Sequence, residues 1–161
     1  MPTIKLTLEY EGTQYAGWQR QLNQPTIQEA VETAIKNVTQ QAVSVVAAGR
    51  TDAGVHALGQ VVSFRIDRDM TAYDWTMALN AHLPPDISVR TVDFPHPDFH
   101  ARYKATGKLY RYRILSRSPR PALNRQLVWH VYKPLDDVAM NQAALHLIGS
   151  HDFSSFETQP T

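Results

Sequence analysis

The order of strand-like and helix-like patterns in the first part of the chain restricts its fold more than any other feature. Strands are predicted where apolar residues alternate or form short runs, and helices where they recur every three or four residues. Six segments carry these patterns: strands at residues 4–10, 43–48, 62–66 and 87–94, and helices at residues 27–38 and 72–82. This β-α-β-β-α-β order predicts an α/β (α+β) fold of the ferredoxin-like or split βαβ type, with a mainly antiparallel sheet.

Both predicted helices carry start signals. Thr26 with Glu29, and Thr71 with Asp74, have the spacing of a capping box, in which the two side chains bond each other's backbone. Trp75 falls on the apolar face of the second helix. It is predicted to be a core residue rather than a surface for stacking bases.

A glycine-rich loop separates the second and third predicted strands. Gly49, Gly54 and Gly59 permit a tight turn and a close approach of the backbone to a ligand. Arg50 and Asp52 lie two residues apart, so in an extended segment their side chains share a face. A nearby guanidinium keeps a carboxylate ionised, and an ionised carboxylate can act as a nucleophile or a base. The alternative is a structural ion pair that only holds the loop.

Composition limits the classes of protein to which the chain can belong. Its 161 residues, 43% of them apolar, suffice for one compact domain with a core. The absence of cysteine excludes disulfides, thiolate catalysis and Cys-based metal sites, and suits a reducing cytoplasm. The chain shows neither a signal-peptide pattern after Met1 nor an apolar run long enough for a bilayer. We therefore expect a soluble, cytoplasmic protein with no membrane partner.

A basic run lies in the second part of the chain. The formal net charge of +1 is too small to indicate a nucleic-acid partner by itself, so a local patch must carry that inference. Eight cations and no acidic residue lie between residues 102 and 125: Arg102, Lys104, Lys108, Arg111, Arg113, Arg117, Arg120 and Arg125. Such a run is typical either of a phosphate-binding surface or of a solvated face that protects a sheet edge.

The chain divides by pattern into residues 1–94, which hold the ferredoxin-like half with the glycine-rich loop, and residues 95–161. The second part is predicted to continue the same domain rather than to form another one. After a Pro-rich connection, three elements are predicted: strands at residues 108–115 and 127–131 and a helix at residues 137–148. His96 and His100 flank Asp98 in the connection, but its prolines oppose a helix that would gather them, so no metal site is predicted.

Several motifs resemble the tRNA pseudouridine synthase A family, whose members isomerise uridines in the anticodon arm of tRNA. The most extensive likeness runs over residues 49–64 and contains Arg-Thr-Asp-Ala-Gly-Val-His. Shorter likenesses occur at residues 17–19, 99–102, 110–112 and 149–156. The first lies in a loop whose composition favours Tyr15 and Trp18 as plugs at the end of a sheet, whereas the resemblance favours a loop that faces RNA. The resemblance implies the first half of a pseudouridine synthase fold, which family members continue with a second α/β half beyond the end of this chain.

The resemblance also implies roles for individual residues. Asp52 matches the family's catalytic aspartate and Tyr110 its active-site tyrosine, which stacks on the flipped base, while Arg50 would help to hold the position that the base leaves. Four residues of the basic run are then expected to contact RNA phosphates: Arg102, Lys108, Arg111 and Arg113. The implied substrate is uridine at positions 38–40 of the anticodon stem-loop. The implied partners are tRNA and, at full length, a second copy of the chain, and no metal or organic cofactor is expected.

Other functions stay open on the residues alone. RNA-recognition-motif domains share the β-α-β-β-α-β order, so a non-catalytic RNA-binding module is one alternative. Residues 60–64, however, do not match the aromatic signature of that class. A structural domain in which Arg50 and Asp52 simply pair, and an inactive piece of a synthase, are the others. Neither of the two non-synthase alternatives accounts for the density of matching motifs.

Overall fold

The strands and helices of the first part of the chain follow the predicted order. A computed structural model describes residues 1–156. Its elements are β1 Thr3–Tyr10, α1 Ile27–Thr39, β2 Val46–Ala47, β3 Ala57–Arg65, α2 Ala72–His82, β4 Ile87–Asp93, β5 Ile114–Ser116, β6 Trp129–Val131 and α3 Asp137–Ala144. The first six elements confirm the predicted β-α-β-β-α-β arrangement, although β2 is shorter than expected.

The chain divides into two compact units, Met1–Leu109 and a second unit that begins at Tyr110. The predicted division after residue 94 therefore falls within the first unit. The expectation that residues 95–161 continue one catalytic domain stays a prediction.

The first unit is built on a four-stranded antiparallel sheet in the order β2-β3-β1-β4. The central strand β1 pairs with both neighbours, so that Leu6 lies opposite Val62 on one side and Val92 on the other. Alternate residues of β1, among them Ile4 and Leu8, are fully buried. The sheet is thus mainly antiparallel and ferredoxin-like, as the order of elements predicted.

Both helices of the first unit begin at the predicted caps and contribute to one core with the sheet. The Thr26 side chain accepts a hydrogen bond from the Glu29 backbone, and Thr71 and Asp74 form a complete capping box. Trp75 is fully buried, and its ring meets Phe64 edge-on at 5.9 Å between centroids. The prediction that Trp75 belongs to the core is confirmed.

The connection after β4 packs on the sheet rather than leaving it. The hydroxyl of Thr3 donates to the carbonyl of Pro97 at 2.8 Å, and the backbone N–H of Ala101 donates to the Ser63 hydroxyl at 3.1 Å. In β1 and β3, these two polar side chains alternate with core residues and so lie on the opposite face of the sheet. The connection therefore covers one end of that face and leads towards Lys108.

The second unit departs from the predicted elements. Residues 108–113 form no strand, because within residues 1–156 only Ile114–Ser116 of this segment pair with another strand, the parallel strand β6. The predicted strand at residues 108–115 is thus wrong over most of its length. α3 begins at the predicted cap Asp136 but ends at Ala144, where a 3-10 turn follows. None of its residues is buried, so no packing supports a longer helix.

Candidate active site

The glycine-rich loop spans residues 48–56, between β2 and β3, and holds Asp52 at an exposed position. At its base the Ala48 backbone N–H donates to the Val61 carbonyl at 2.8 Å. At its tip the Val55 N–H donates to the carbonyl of Asp52 at 3.2 Å and closes a turn. The side chains of Arg50 and Asp52 are both exposed. The loop therefore offers a carboxylate and a guanidinium to solvent from a closed backbone turn.

A second loop, residues 11–18, packs directly on the glycine-rich loop. Three hydrogen bonds join them: Trp18 N–H to the Thr51 carbonyl at 2.8 Å, Gly54 N–H to the Tyr15 carbonyl at 3.2 Å, and Gly12 N–H to His56 Nδ1 at 3.1 Å. The backbones of the two loops thus support each other.

Glycine is required at two points of this contact. A Cβ added at Gly12 would collide with the backbone carbonyl of Val55. Gly17 has φ +100°, and a Cβ there would lie 2.6 Å from the carbonyl oxygen of Thr51. A side chain at either position would push the loops apart.

The aromatic side chains of the second loop do not form an exposed stacking surface. Trp18 is buried in the core, and the half-buried Tyr15 donates its hydroxyl hydrogen bond to Asp86 Oδ1 at 2.7 Å. Burial, together with the hydrogen bond to Asp86 and its negative charge, raises the pKa of Tyr15. Tyr15 therefore stays protonated and fastens the loop to the residue before β4.

A buried polar group lies beneath the glycine-rich loop. Tyr10, at the end of β1, has its hydroxyl 2.9 Å from Thr51 Oγ1. The side-chain amide of Gln60, in β3, donates to the carbonyl of Gly49. Burial raises the pKa of Tyr10, and hydrogen bonds with Thr51 and Gln60 offset part of the rise. These side chains tie the loop to the central strands.

Arg50 and Asp52 do not form the ion pair that the structural alternative requires. The ion pairs found within residues 1–156 involve neither of them. The Asp52 carboxylate also accepts no hydrogen bond from the described part of the chain. It is therefore available to a ligand, and the structural alternative lacks its defining contact.

Lys108 is brought to the loop. A Cβ added at Gly49 would lie 2.8 Å from Lys108 Cε and 2.9 Å from its Nζ, so the ammonium group lies against the start of the loop. Arg102 is exposed, directly after the buried Ala101. In the first unit, Lys108 thus lies beside the start of the loop that carries Arg50 and Asp52.

The other candidate residues, Tyr110, Arg111 and Arg113, belong to the second unit, where all three are exposed. Throughout the described residues, no cation of the basic run forms an ion pair with a carboxylate. Arg117 is instead bonded to the carbonyls of Pro119 and Arg120. The positive charge of the run is therefore not neutralised by the part of the protein that the structure describes.

The histidines of the Pro-rich connection do not gather a metal site. His96 Nδ1 lies 3.5 Å from a carboxylate oxygen of Asp98. Residues 1–156 contain no group of three or more His, Asp or Glu side chains that could hold a metal ion. In the same range, no helix has the length and apolar character needed to cross a membrane.

Sequence reasoning missed the residues that hold the loop. Gln60 carried a readable signal, because it shares the core-facing side of β3 with Val62 and Phe64, where a buried amide needs a hydrogen-bond partner. Tyr10 carried a weaker one, since a buried tyrosine hydroxyl usually finds a partner. Nothing in the pattern indicated that both partners would lie in the same loop.

Known proteins have similar sequences over most of the chain. Residues 7–104 match a family model described as tRNA pseudouridine synthase. The chain is similar to tRNA pseudouridine synthase A of Rhodospirillum centenum, with 52% identity over 157 residues, or 97% of this chain and 64% of that protein. The corresponding protein of Myxococcus xanthus is 50% identical over 97% of this chain and 59% of its own length, and that of Geobacter sulfurreducens 51% over 98% and 65%. The chain spans about three fifths of the length of these curated relatives.

Proposed function

Because the chain belongs to the tRNA pseudouridine synthase family, we propose that it converts uridine to pseudouridine at positions 38–40 of the tRNA anticodon stem-loop. The observation that carries the proposal is the glycine-rich loop, in which the exposed Asp52 carboxylate forms no ion pair with, and accepts no hydrogen bond from, the described residues. An accessible carboxylate on a closed, well-supported backbone turn suits attack on, or proton removal from, a bound nucleotide.

Asp52 is the proposed catalytic residue. Its carboxylate starts the isomerisation by one of three routes: attack on the ribose C1′, addition to uracil C6, or removal of the C2′ proton to give a glycal. By each route the bond between C1′ and N1 breaks, the uracil turns in the site, and a bond between C1′ and C5 forms. N1 gains a proton and C5 loses one to solvent. The reaction is therefore an isomerisation and consumes no metal, cofactor or co-reactant.

The nucleotide must leave the helical stack before Asp52 can reach it. Extrusion of a base costs about a few kcal/mol in stacking and pairing. Arg50, two residues from Asp52 and exposed, is proposed to hold the position that the base leaves, and Tyr110 to stack on the flipped base. Tyr110 is also exposed, as a stacking residue must be.

RNA binding is proposed for the cations that lack a carboxylate partner. Arg102 and Lys108 in the first unit, and Arg111 and Arg113 in the second, would bind tRNA phosphates, which fixes orientation without reading sequence. Selection of the substrate would then come from the shape of the folded tRNA. At full length the protein is proposed to work in the cytoplasm as a homodimer whose tRNA contacts span both subunits.

Release of tritium from unmodified tRNA that carries [5-³H]uridine tests the function. We expect release with the chain and its loss in Asp52→Ala, because the C5 proton leaves only when the new bond forms. Asp67→Ala, which removes an exposed carboxylate outside the loop, is the control and should retain full activity.

Two results would count against the proposal. Release that persists in Asp52→Ala would exclude Asp52 as the catalytic residue. Absence of release from this chain, and also from a longer chain with the remaining length of its relatives, would overturn the enzyme assignment. Salt-sensitive tRNA binding without release would then identify an RNA-binding module.

A further inference from the structure

The direction of the Asp52 carboxylate depends on its backbone. An active-site carboxylate is often oriented by a hydrogen bond to its oxygens. Within residues 1–156, however, no group donates a hydrogen bond to the side-chain carboxylate of Asp52 or forms an ion pair with it. The side chain is also exposed, so packing does not fix its rotamer. The groups that hold the backbone beside Asp52 must therefore set where the carboxylate can reach.

Thr51, the residue immediately before Asp52, is held at two atoms. Its carbonyl accepts the Trp18 N–H at 2.8 Å, and its Oγ1 lies 2.9 Å from the hydroxyl of Tyr10. Tyr10 is itself fixed, since only 4% of its surface is exposed and its ring packs 6.4 Å from that of Trp18. The peptide that carries Asp52 is thus attached to the end of the central strand β1.

Gln60 fixes the backbone at Gly49, two residues before Thr51 in the same loop. Its side chain lies in β3, 8% exposed, and donates to the carbonyl of Gly49. Tyr10 and Gln60 lie in the neighbouring strands β1 and β3 and both hold the same loop, so their hydrogen bonds form one supporting network beneath it. Gly49 and Thr51 flank Arg50. The network therefore fixes the backbone on both sides of the proposed base-replacing residue and next to the proposed catalytic one.

We infer that the Tyr10 hydroxyl and the Gln60 amide are positioning groups for Asp52, acting through Thr51 and Gly49. The inference rests on the proposed function and adds to it two residues that do not touch the substrate. Loss of one hydrogen bond in this network should leave the fold intact but allow the loop to shift. A shift of about 1 Å in a catalytic group can lower a rate about 100-fold.

The test compares variants that remove one hydroxyl each. Tyr10→Phe and Thr51→Val delete the two partners of one hydrogen bond, whereas Thr51→Ser keeps the hydroxyl. In tritium-release assays we expect kcat to fall about 10-fold to 100-fold in the first two variants, with KM and the Kd for tRNA within about twofold of wild type. Thr51→Ser should recover most of kcat.

Two comparisons separate positioning from general stability. The double variant Tyr10→Phe/Thr51→Val should be no slower than the slower single variant, because both changes delete one interaction. Thr76→Val, which removes a hydroxyl that donates to the Ala72 carbonyl at 2.8 Å within α2, is the matched control and should leave kcat unchanged. Gln60→Met, which keeps the length of the side chain, should lower kcat in the same way as Tyr10→Phe.

Hydrogen–deuterium exchange of the peptide that spans residues 49–56 gives a second readout, independent of activity. We expect faster exchange in Tyr10→Phe and Thr51→Val and wild-type exchange in Thr76→Val. Unchanged kcat, or unchanged exchange in this peptide, would overturn the inference even if Asp52→Ala confirms the proposed function. If neither wild type nor the longer chain releases tritium, the proposed function fails, and exchange alone decides whether the network holds the loop.

Discussion

At the scale of single residues, close contact with neighbouring backbone decides which glycines tolerate substitution by alanine. Gly17 combines φ +100° with a contact that leaves no room for a Cβ, whereas Gly54 has φ +77° and open space around it. An alanine at Gly54 therefore meets only the conformational cost, about 1–2 kcal/mol. Gly17→Ala adds a collision with the Thr51 carbonyl, and we expect at least twice that loss in the free energy of unfolding, measured in urea.

The matched control for this series is Gly107→Ala. Gly107 has no positive φ and no neighbour within 4 Å of an added Cβ. Its substitution should change the free energy of unfolding by less than about 0.5 kcal/mol. Equal stability losses in Gly17→Ala and Gly54→Ala would show that the loops separate without cost, and would contradict the tight contact described above.

Some features of the site could be predicted from the sequence and others could not. The resemblance selected Arg50 and Asp52 as candidate site residues. Both side chains are exposed in the loop, but their guanidinium and carboxylate groups do not form an ion pair. Composition favoured Trp18 as a plug at the end of the sheet, whereas the resemblance favoured a loop facing RNA; the Trp18 side chain is buried in the core. Its ring partner Tyr10 could not be identified from the local pattern.

At the scale of elements, the edge of the sheet is closed by a helix side chain. β4 is the last strand of the sheet, and Asn80 of α2 meets it at Val89. The Asn80 amide donates to the Val89 carbonyl at 3.0 Å and accepts from the Val89 N–H at 2.8 Å. The Asn80 side chain thus forms the two hydrogen bonds that a neighbouring strand would make with Val89, and at this residue it blocks pairing of the edge with another chain.

Asn80→Ala should therefore destabilise the first unit. Two backbone groups of the buried residue Val89 lose their partners, and the expected cost is about 1–2 kcal/mol in a thermal or urea unfolding experiment. Asn37→Ala, an exposed position on α1, should be neutral or slightly stabilising because alanine favours helix. Equal effects of the two substitutions would mean that the contact between Asn80 and Val89 contributes nothing to stability.

The spacing of apolar residues predicted helices and strands correctly only where the segment also packs on, or pairs with, another part of the chain. α1, α2 and the strands β1, β3 and β4 combine a regular apolar pattern with caps or pairing partners, and all were predicted. Residues 108–113 also alternate, yet they form no strand because no strand of the described part of the chain pairs along them. A strand is a property of two segments, and a single-segment pattern cannot supply the second.

At the scale of the whole molecule, positive charge is concentrated while net charge is small. The formal net charge is +1, but the run from Arg102 to Arg125 contains cations only and none of them pairs with a carboxylate in residues 1–156. Phosphate contacts release condensed counterions, so each one adds about 0.7–0.9 to the slope of log Kd against log salt concentration. Salt dependence therefore counts the contacts that the run makes with tRNA.

The double variant Arg111→Gln/Arg113→Gln tests whether these two arginines contact tRNA phosphates. If both residues bind phosphates, the slope of log Kd against log salt concentration should fall by about 1.4–1.8, while discrimination between tRNAs of different sequence stays the same. Arg68→Gln removes an exposed cation outside the run and should leave the slope unchanged. Titrations with unmodified tRNA at several salt concentrations measure all three proteins. An equal fall in the slope for Arg68→Gln would mean that binding follows total charge, and an unchanged slope in the double variant would exclude these two arginines from the interface.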